Sequence, residues 1–362
     1  MRRLEDEFRE YFSVKHVFLV SSGKAALAII LNALHSLAPN KRKVLIPAYT
    51  CFSVPSAIVK AGLKVSLCDI DSTTFDFDYK LFEEVINNDI LCVVPNHIFG
   101  IPAEIDKINS LCRKKGIFVV EDVAQGMGGS YKGKKLGAVG DVGFFSLGRG
   151  KNITCGSGGI IITNSDLIAS AIGKEHARLG SLGITETIKE FFKVMILSIF
   201  IHPSLYWFPS GLPFLALGET IFYKKFPTKR FSGMQAGLLK GWQKRLEESN
   251  RIRKENAKYF CSALASTLTF HNCASIPYLR MPLILENREI KEKLYSISHK
   301  NGFGISYMYP TPINEIEEIQ DHFNGRTFPS ASKVAERLLT IPTHQLLKQK
   351  DREEICKLFN VG

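Results

Sequence analysis

The sequence predicts an α/β fold with a large domain built on a mostly parallel sheet and a smaller C-terminal α+β domain. In the first half, strand-like apolar runs alternate with helix-like stretches: "HVFLV" precedes "SSGKAALAIILNAL", and "KVLIPA" precedes "VPSAIVKAG". The runs "LKVSLCDI", "DILCVVPN" and "GIFVVED" continue as buried strands. Alternation of this kind indicates right-handed crossovers and a largely parallel sheet covered by helices on both faces.

The second half is less regular, and we expect the large domain to span residues 1–240 and the small domain 241–362. Apolar residues at helical spacing in "SGMQAGLLKGWQKRLEESNRIRKENAKYF" predict one long helix around this boundary. The strand-like run "IPYLRMPLIL" and the helix-like end "REEICKLF" follow it. This mixture is typical of an α+β unit.

Composition excludes a disordered chain, because 45% of the 362 residues are hydrophobic and 23% are charged. The formal net charge of +12 is not carried by one basic tail. It indicates either a generally cationic surface or an anionic partner, such as a nucleotide-bearing substrate or a membrane surface. The chain has no aromatic-plus-basic motif of the usual modules, so we expect no nucleic-acid partner.

Eight cysteines are scattered singly with no Cys-x-x-Cys pair, which predicts neither a metal site nor a disulfide framework. The N-terminal "MRRLEDEFREYF" has no apolar core and is not typical of a signal peptide. We therefore expect a cytoplasmic protein.

One apolar stretch, from Phe191 to Tyr223, interrupts the alternation. No Asp, Glu, Lys or Arg occurs from Val194 to Gly218, but three prolines cut the run into pieces too short for one straight span. Aromatic residues and the basic flank after Tyr223 favour a segment that dips into one leaflet. We expect contact with an anionic membrane surface through 191–230, at the inner face; a buried helical hairpin or an oligomer contact is the alternative.

Lys151 stands between glycine clusters in "FFSLGRGKNITCGSGGIIIT". A phosphate-binding P-loop is excluded, because Phe145 stands where that motif needs glycine and Asn152 where it needs Ser or Thr. A dinucleotide-binding fingerprint is excluded as well, because Ile153 stands where its third glycine would have to be. Another chemistry has to explain this lysine.

Two further signals combine with the lysine. "FVVEDVAQ" places Glu121 and Asp122 at the end of a buried strand, and "SSGKAAL" opens a helix whose free N–H groups suit a phosphate. A phosphate cradle, an acid at a strand end and a later lysine are the anchors that a pyridoxal phosphate enzyme needs. The glycines would then let the backbone approach a flat cofactor.

At this point the chain resembles the DegT/StrS-type sugar aminotransferases, which have the PLP-dependent transferase type I (aspartate-aminotransferase) fold. The resemblance covers most of the chain. It lies in "EFREYFSVKHVFLVSSGKAAL", "VLIPAYTCFSVPSAIVKAGLKVSLCDID", "VVPNHIFGIPAEIDKI", "VVEDVAQGMGGSYKGKKLGAVGDVGFFSL", "SLGRGKNITCGSGGIIIT", "MQAGLLKGWQKRLEESNRIR" and "GISYMYPTPI". The order and spacing of these blocks make the resemblance specific.

The resemblance implies a role for each matching residue. Lys151 would be the Schiff-base lysine and the proton-shuttling base, and Asp122 would pair with the pyridinium nitrogen. Gln125 would contact the 3′-oxygen face of the cofactor, and His97 would line the pocket. The phosphate would be bound by Ser146 and by the turn at Gly23, Lys24 and Ala25.

Three departures from the family pattern stand out. Lys24 replaces the Thr of the phosphate turn, and Cys51 aligns with the ring-stacking aromatic, for which Phe52 or Tyr49 would substitute. The Asn-Tyr-Arg stretch, through which a partner subunit commonly supplies an asparagine to the phosphate, is not recognisable in "KKFPTKRFSGMQ".

The resemblance implies a homodimeric aminotransferase. It would move an amino group from a donor, expected to be glutamate, to a nucleotide- or lipid-linked keto-sugar in surface polysaccharide or glycoconjugate biosynthesis. Two alternatives remain open. One is hydroxyl removal, found in relatives that carry histidine at the lysine position. The other is a catalytically silent or regulatory membrane-associated scaffold.

Overall fold

The computed structural model describes residues 1–200, 220–265 and 276–360. Its strands, numbered in chain order, are β1 (His16–Val20), β2 (Lys43–Pro47), β3 (Lys64–Cys68), β4 (Ile90–Val93), β5 (Phe118–Asp122), β6 (Ser130–Tyr131), β7 (Lys134–Lys135), β8 (Val142–Ser146), β9 (Gly159–Thr163), β10 (Arg280–Ile284) and β11 (Leu338–Pro342).

The α-helices are numbered in the same way. They are α1 (Arg2–Phe12), α2 (Gly23–Leu37), α3 (Ser53–Lys60), α4 (Tyr79–Val85), α5 (Ile105–Arg113), α6 (Asp166–Ala177), α7 (Ile184–Phe200), α8 (Gly233–Leu238), α9 (Trp242–Ala263), α10 (Arg288–Asn301), α11 (Pro329–Arg337) and α12 (Gln349–Asn360).

The main sheet has seven strands in the order β1-β9-β8-β5-β4-β2-β3. Neighbouring strands from β3 to β8 run parallel, and β9 is antiparallel to both β8 and β1. The predicted mostly parallel α/β sheet is therefore confirmed. The carboxyl ends of β2, β4, β5 and β8 meet at one edge, where functional groups gather in folds of this kind.

Helix α2 is the central covering helix of this sheet. Its sequence "GKAALAIILNALHSL" is apolar on nearly every face, and most of its side chains are buried. A helix that is hydrophobic all round is stable only when it is enclosed. Its enclosed position fixes the N-terminus of α2 at the carboxyl edge of the sheet, directly after β1.

The C-terminal region contains an antiparallel pair, β10 and β11, with α10 and α11 packed near it. This agrees with an α+β unit, and the division at residue 240 stays a prediction. The single long helix predicted over 232–260 is wrong. It is divided into α8 and α9 at Gly241, whose φ of 69° lies in the left-handed region that ends a helix.

Among the residues that the structure describes, six cysteines are free, five of them buried and Cys51 half-buried. Cys261 is disulfide-bonded, which the scattered cysteines did not predict.

Residues 201–219 of the apolar stretch, including its three prolines, lie outside the described residues. Its first part forms the end of α7. Within the described part of the chain, no helix combines the length and apolar character that crossing a bilayer demands.

Candidate active site

A wide cleft of about 2690 Å³ opens at the carboxyl edge of the main sheet. Sites for one small ligand usually have volumes of roughly 300–1,000 Å³, so this cleft has room for a cofactor together with a larger substrate. Its walls include residues from both the sheet edge and the C-terminal region: Ser22, Gly23, Lys24, Cys51, Asn96, Asp122, Gln125, Ser146, Lys151, Arg253, Arg280, Tyr309 and His344.

Lys151 and Asp122 face this cleft together. Asp122 is the last residue of β5 and is 3% exposed, and its Oδ1 accepts a hydrogen bond from Ala124 N–H at 2.9 Å. Burial raises the pKa of Asp122, although the Ala124 N–H and the positive charge of Lys151 act in the opposite direction. The carboxylate is therefore poorly compensated and would be stabilised by a cationic group in the cleft.

Glu121, one residue earlier, has a different environment. Its carboxylate is fully buried and accepts hydrogen bonds from the N–H groups of Gly137, Val139 and Gly140 and from His97 Nε2. Burial alone would raise its pKa, but the bonds from His97 and the backbone hold it below the ordinary value. Glu121 thus anchors the turn before β8.

His97 does not stand where the sequence placed it. The side chain is fully buried, Nδ1 accepts a hydrogen bond from Ala103 N–H at 3.1 Å, and Nε2 lies 3.0 Å from Glu121 Oε2. Both ring nitrogens are therefore engaged, and His97 is not among the described residues that line the cleft. His97 therefore supports the ends of β4 and β5 from within the protein. The prediction that His97 lines the cleft is wrong.

The predicted phosphate cradle lies between the start of α2 and the end of β8. A Cβ added at Gly23 would lie 2.8 Å from Ser146 Cβ, so these two residues are in direct contact. The first amides of α2, at Gly23 and Lys24, cannot have partners within the helix. Together with the Ser146 hydroxyl, they provide the donors that an anion needs at a helix N-terminus.

Ala25 does not contribute as expected. Its N–H donates to Ser22 Oγ at 3.1 Å, so the N-cap already uses this amide. The Lys24 ammonium lies over the ring of Tyr223, 4.0 Å from its centroid, in a cation–π contact. Burial lowers the pKa of Lys24.

Gln125 connects the cleft floor to the C-terminal region. Its Oε1 accepts from Phe99 N–H at 2.9 Å, and its Nε2 donates to Tyr309 Oη at 2.7 Å. Tyr309 N–H in turn donates to Tyr49 Oη at 3.2 Å. Sequence reasoning named Gln125 but missed Tyr309, although "GISYMYPTPI" belonged to the resemblance.

The structure does not support the expected aromatic substitutes for Cys51. Cys51 itself lies on the cleft wall, whereas neither Phe52 nor Tyr49 is among the described wall residues. Phe52 is 7% exposed and Tyr49 is 1% exposed, and both belong to the core. The thiol therefore occupies the wall position between β2 and α3.

The glycines after Lys151 serve a purpose that the sequence did not predict. A Cβ at Gly159 would lie 2.4 Å from Ser22 O, and one at Gly156 would lie 2.3 Å from Val194 Cγ2. These glycines let the Lys151 loop pack against the phosphate turn and against α7. The explanation through a flat cofactor is thus incomplete, because close approach within the protein already requires them.

Asn152, next to Lys151, is a further residue that sequence reasoning missed. Its Nδ2 donates to Asn250 Oδ1 at 3.0 Å, and Asn250 Nδ2 donates to Met127 O at 2.9 Å. These two hydrogen bonds connect the lysine loop to α9 and to the loop after β5. No local motif signals it, because the residues are far apart in sequence.

The described residues fit pyridoxal phosphate. A helix N-terminus and a hydroxyl face the same point, Asp122 lacks a full set of partners, and Lys151 lies near enough to affect it electrostatically. These are the donor, acid and amine positions that this cofactor requires.

Comparison with known proteins agrees with this fit. The model of the DegT/DnrJ/EryC1/StrS aminotransferase family matches residues 1–360. UDP-2-acetamido-2-deoxy-3-oxo-D-glucuronate aminotransferase of Pseudomonas aeruginosa is 26% identical over 98% of this chain and 88% of its own. GDP-perosamine synthase of Vibrio cholerae is 33% identical over 46% of this chain, and the match spans only 45% of that relative.

Among solved structures, PseC of Helicobacter pylori, an aminotransferase involved in the biosynthesis of pseudoaminic acid, superposes with a TM-score of 0.80. The superposition covers 100% of this chain and 91% of PseC at 18% identity, which shows the fold. The expected type I transferase fold is confirmed. The chain belongs to the DegT/DnrJ/EryC1/StrS aminotransferase family, whose aminotransferases depend on pyridoxal phosphate.

Proposed function

We propose that this protein is a pyridoxal phosphate-dependent aminotransferase that moves an amino group from glutamate to a nucleotide- or lipid-linked keto-sugar. The observation that carries the proposal is the meeting of Lys151, Asp122 and the Gly23–Ser146 cradle in one cleft. The full-length relative from Pseudomonas aeruginosa acts on a 3-oxo sugar by its name, which supports the acceptor class. The product would enter surface polysaccharide or glycoconjugate biosynthesis.

Each residue has a physical role in this mechanism. Ser146 Oγ and the Gly23 and Lys24 amides would hold the phosphate, and Asp122 at the strand end would keep the ring nitrogen protonated. Pyridoxal phosphate, when bound, supplies an electron-accepting ring and a carbonyl that carries the amino group between half-reactions. Lys151 Nζ would be the attachment point for the cofactor, and its amine would also be the base that moves the proton at the substrate carbon.

Absorption spectroscopy tests this assignment. Wild-type protein with pyridoxal phosphate should show the yellow band of the lysine-bound cofactor, and L-glutamate should bleach it. Lys151→Ala should lack the band, and borohydride should fix the cofactor to wild type but not to the variant. A band that survives in Lys151→Ala would reject Lys151 as the attachment point, and a band insensitive to glutamate would reject this donor.

We also propose that the protein is a cytoplasmic homodimer, and that it contacts an anionic membrane surface through residues 191–230. Support comes from α7, which exposes apolar side chains at spacings of three and four residues. These are Ile188 (50% exposed), Phe191 (48%), Phe192 (51%), Met195 (41%) and Ile196 (49%). Lys224 and Lys225, at the other end of this segment, are also exposed, as anionic lipid would favour.

Vesicle pelleting tests the membrane contact. Wild type should sediment with phosphatidylglycerol vesicles, and Phe192→Glu should stay in the supernatant. Leu167→Glu is the matched control, because Leu167 on α6 is 63% exposed but lies outside the apolar stretch. If wild type ignores the vesicles, the contact is rejected; light scattering then shows whether Phe192→Glu alters the dimer instead.

A further inference from the structure

A buried arginine on the C-terminal wall of the cleft lacks a charged partner. Arg253 on α9 is 6% exposed, and its Nη1 donates to Leu279 O at 2.6 Å and to Thr343 Oγ1 at 3.1 Å. Its Nε reaches Ser249 Oγ at 3.4 Å. All these acceptors are neutral, and no carboxylate pairs with Arg253 among the described residues. An uncompensated buried charge is costly, so the site favours an incoming anion.

Two more side chains of the cleft wall lie beside Arg253. Arg280 begins β10, and His344 follows the end of β11. Burial lowers the pKa of His344 to about 4, and the charges of Arg280 and Arg253 contribute in that order. The imidazole is thus neutral at pH 7 and carries one N–H donor, while its buried Nδ1 has no hydrogen-bond partner.

We propose that Arg253, Arg280 and His344 form an oxyanion-binding subsite, which holds a carboxylate or phosphate group of the substrate in the cleft that contains Lys151. Guanidinium groups present paired N–H donors that match the oxygens of both anions. The inference rests on the proposed function, because it assigns part of the same cleft to the substrate.

The cleft also offers a contrasting arginine. Arg288 lines it too, but its side chain is mostly exposed and forms an ion pair with Glu292, 3.7 Å from Nε to Oε1. An exposed and already paired cation gains little from a further anion. Arg288→Met is therefore the matched control for Arg253→Met.

Calorimetric titration of the pyridoxal phosphate-loaded protein tests the subsite with two unreactive probes, succinate and uridine diphosphate. Arg253→Met should weaken at least one probe by about tenfold or more, equivalent to about 1.4 kcal/mol. Arg253→Lys, which keeps the charge but not the paired donors, should retain only part of the affinity. Arg288→Met should bind within about twofold of wild type. Thermal unfolding checks that each variant folds, and Arg280→Met replaces Arg253→Met if the latter does not.

Each outcome decides the proposal. Loss of succinate binding identifies a carboxylate subsite, and loss of uridine diphosphate binding identifies a diphosphate subsite; both support it. Unchanged affinity for both probes in a folded variant overturns it, as does a wild type that binds neither with a Kd below about 1 mM. These titrations need no reaction at Lys151, so bleaching by glutamate tests the proposed function separately.

Discussion

Replacing Glu121 by glutamine should destabilise the protein although it changes only one atom. Glu121 Oε1 accepts from the N–H groups of Val139 and Gly140 at 2.8 and 2.6 Å. Oε2 accepts from Gly137 N–H at 2.9 Å and faces His97 Nε2 at 3.0 Å. Whichever way the new amide turns, its NH₂ group faces two donors. Two hydrogen bonds are therefore lost and two buried N–H groups are left unpaired.

The size of the effect follows from those two donors. An unsatisfied buried donor costs about 1–3 kcal/mol, so the pair should cost about 2–6 kcal/mol. In a domain of about 150–250 residues, each kcal/mol of lost unfolding free energy lowers Tm by roughly 2–4 °C. Glu121→Gln should thus lower Tm by at least about 4 °C.

The effect should also depend on pH in a defined direction. Burial opposes ionisation of Glu121, but the bonds from His97 and the backbone outweigh it, so the folded-state pKa lies below the ordinary value of 4.5. A lowered pKa means that the ionised carboxylate stabilises the fold fully above 4.5, and that this contribution is lost as the pH falls through the folded-state pKa. The difference in Tm between wild type and variant should therefore be largest at neutral pH and become smaller in acid.

Thermal melts followed by circular dichroism at neutral and acidic pH provide the assay. Glu83→Gln is the control, because Glu83 is an exposed residue of α4. A Glu121→Gln protein that melts within about 1 °C of wild type at neutral pH would contradict the expected clash between the new amide and its two donors. A gap that widens in acid would refute the assigned pKa shift.

Two further substitutions test contacts at the cleft. Gly156→Ala places a Cβ 2.3 Å from Val194 Cγ2 at a φ of 86°, so we expect faster proteolysis within α7. Gly150→Ala, with a φ of 72° and no neighbour within 4 Å, imposes the backbone strain alone, and equal proteolysis of both variants would contradict the packing argument. Tyr309→Phe removes the acceptor of Gln125 Nε2, and we expect cofactor affinity to fall about tenfold in a fluorescence titration. Unchanged affinity would show that Gln125 needs no such support.

Much of the fold could be predicted because its signals are local. The apolar runs "HVFLV" and "GIFVVED" correspond to β1 and β5, and the small residues of "SSGKAAL" open α2. Lys151 and Asp122 follow from the same patterns, since each stands at the end of a strand or in the loop after it. Parallel strands then bring their carboxyl ends to one edge without further information.

The errors concern contacts between residues that are distant in sequence or competition for one donor. The amide of Ala25 belongs to the N-cap Ser22, and no motif distinguishes a capped amide from a free one. His97 was expected at the cleft because the family block contains it, but Glu121 and Ala103 occupy its ring nitrogens. Arg253 and Tyr309 reach the cleft only through tertiary packing, which periodicity does not reveal.

The adjacent acids Glu121 and Asp122 show how the fold assigns separate roles to chemically similar groups. Successive side chains of a strand point to opposite faces, so only one of the two can face the cleft. The turn from Gly137 to Gly140 surrounds Glu121 with donors and lowers its pKa, whereas Asp122 receives one backbone N–H, from Ala124, and its pKa is raised. The Glu121 carboxylate therefore has a structural role, because its oxygens are occupied by the donors of this turn. The Asp122 carboxylate keeps a buried acceptor facing the cleft, where a cationic ring nitrogen would compensate its charge.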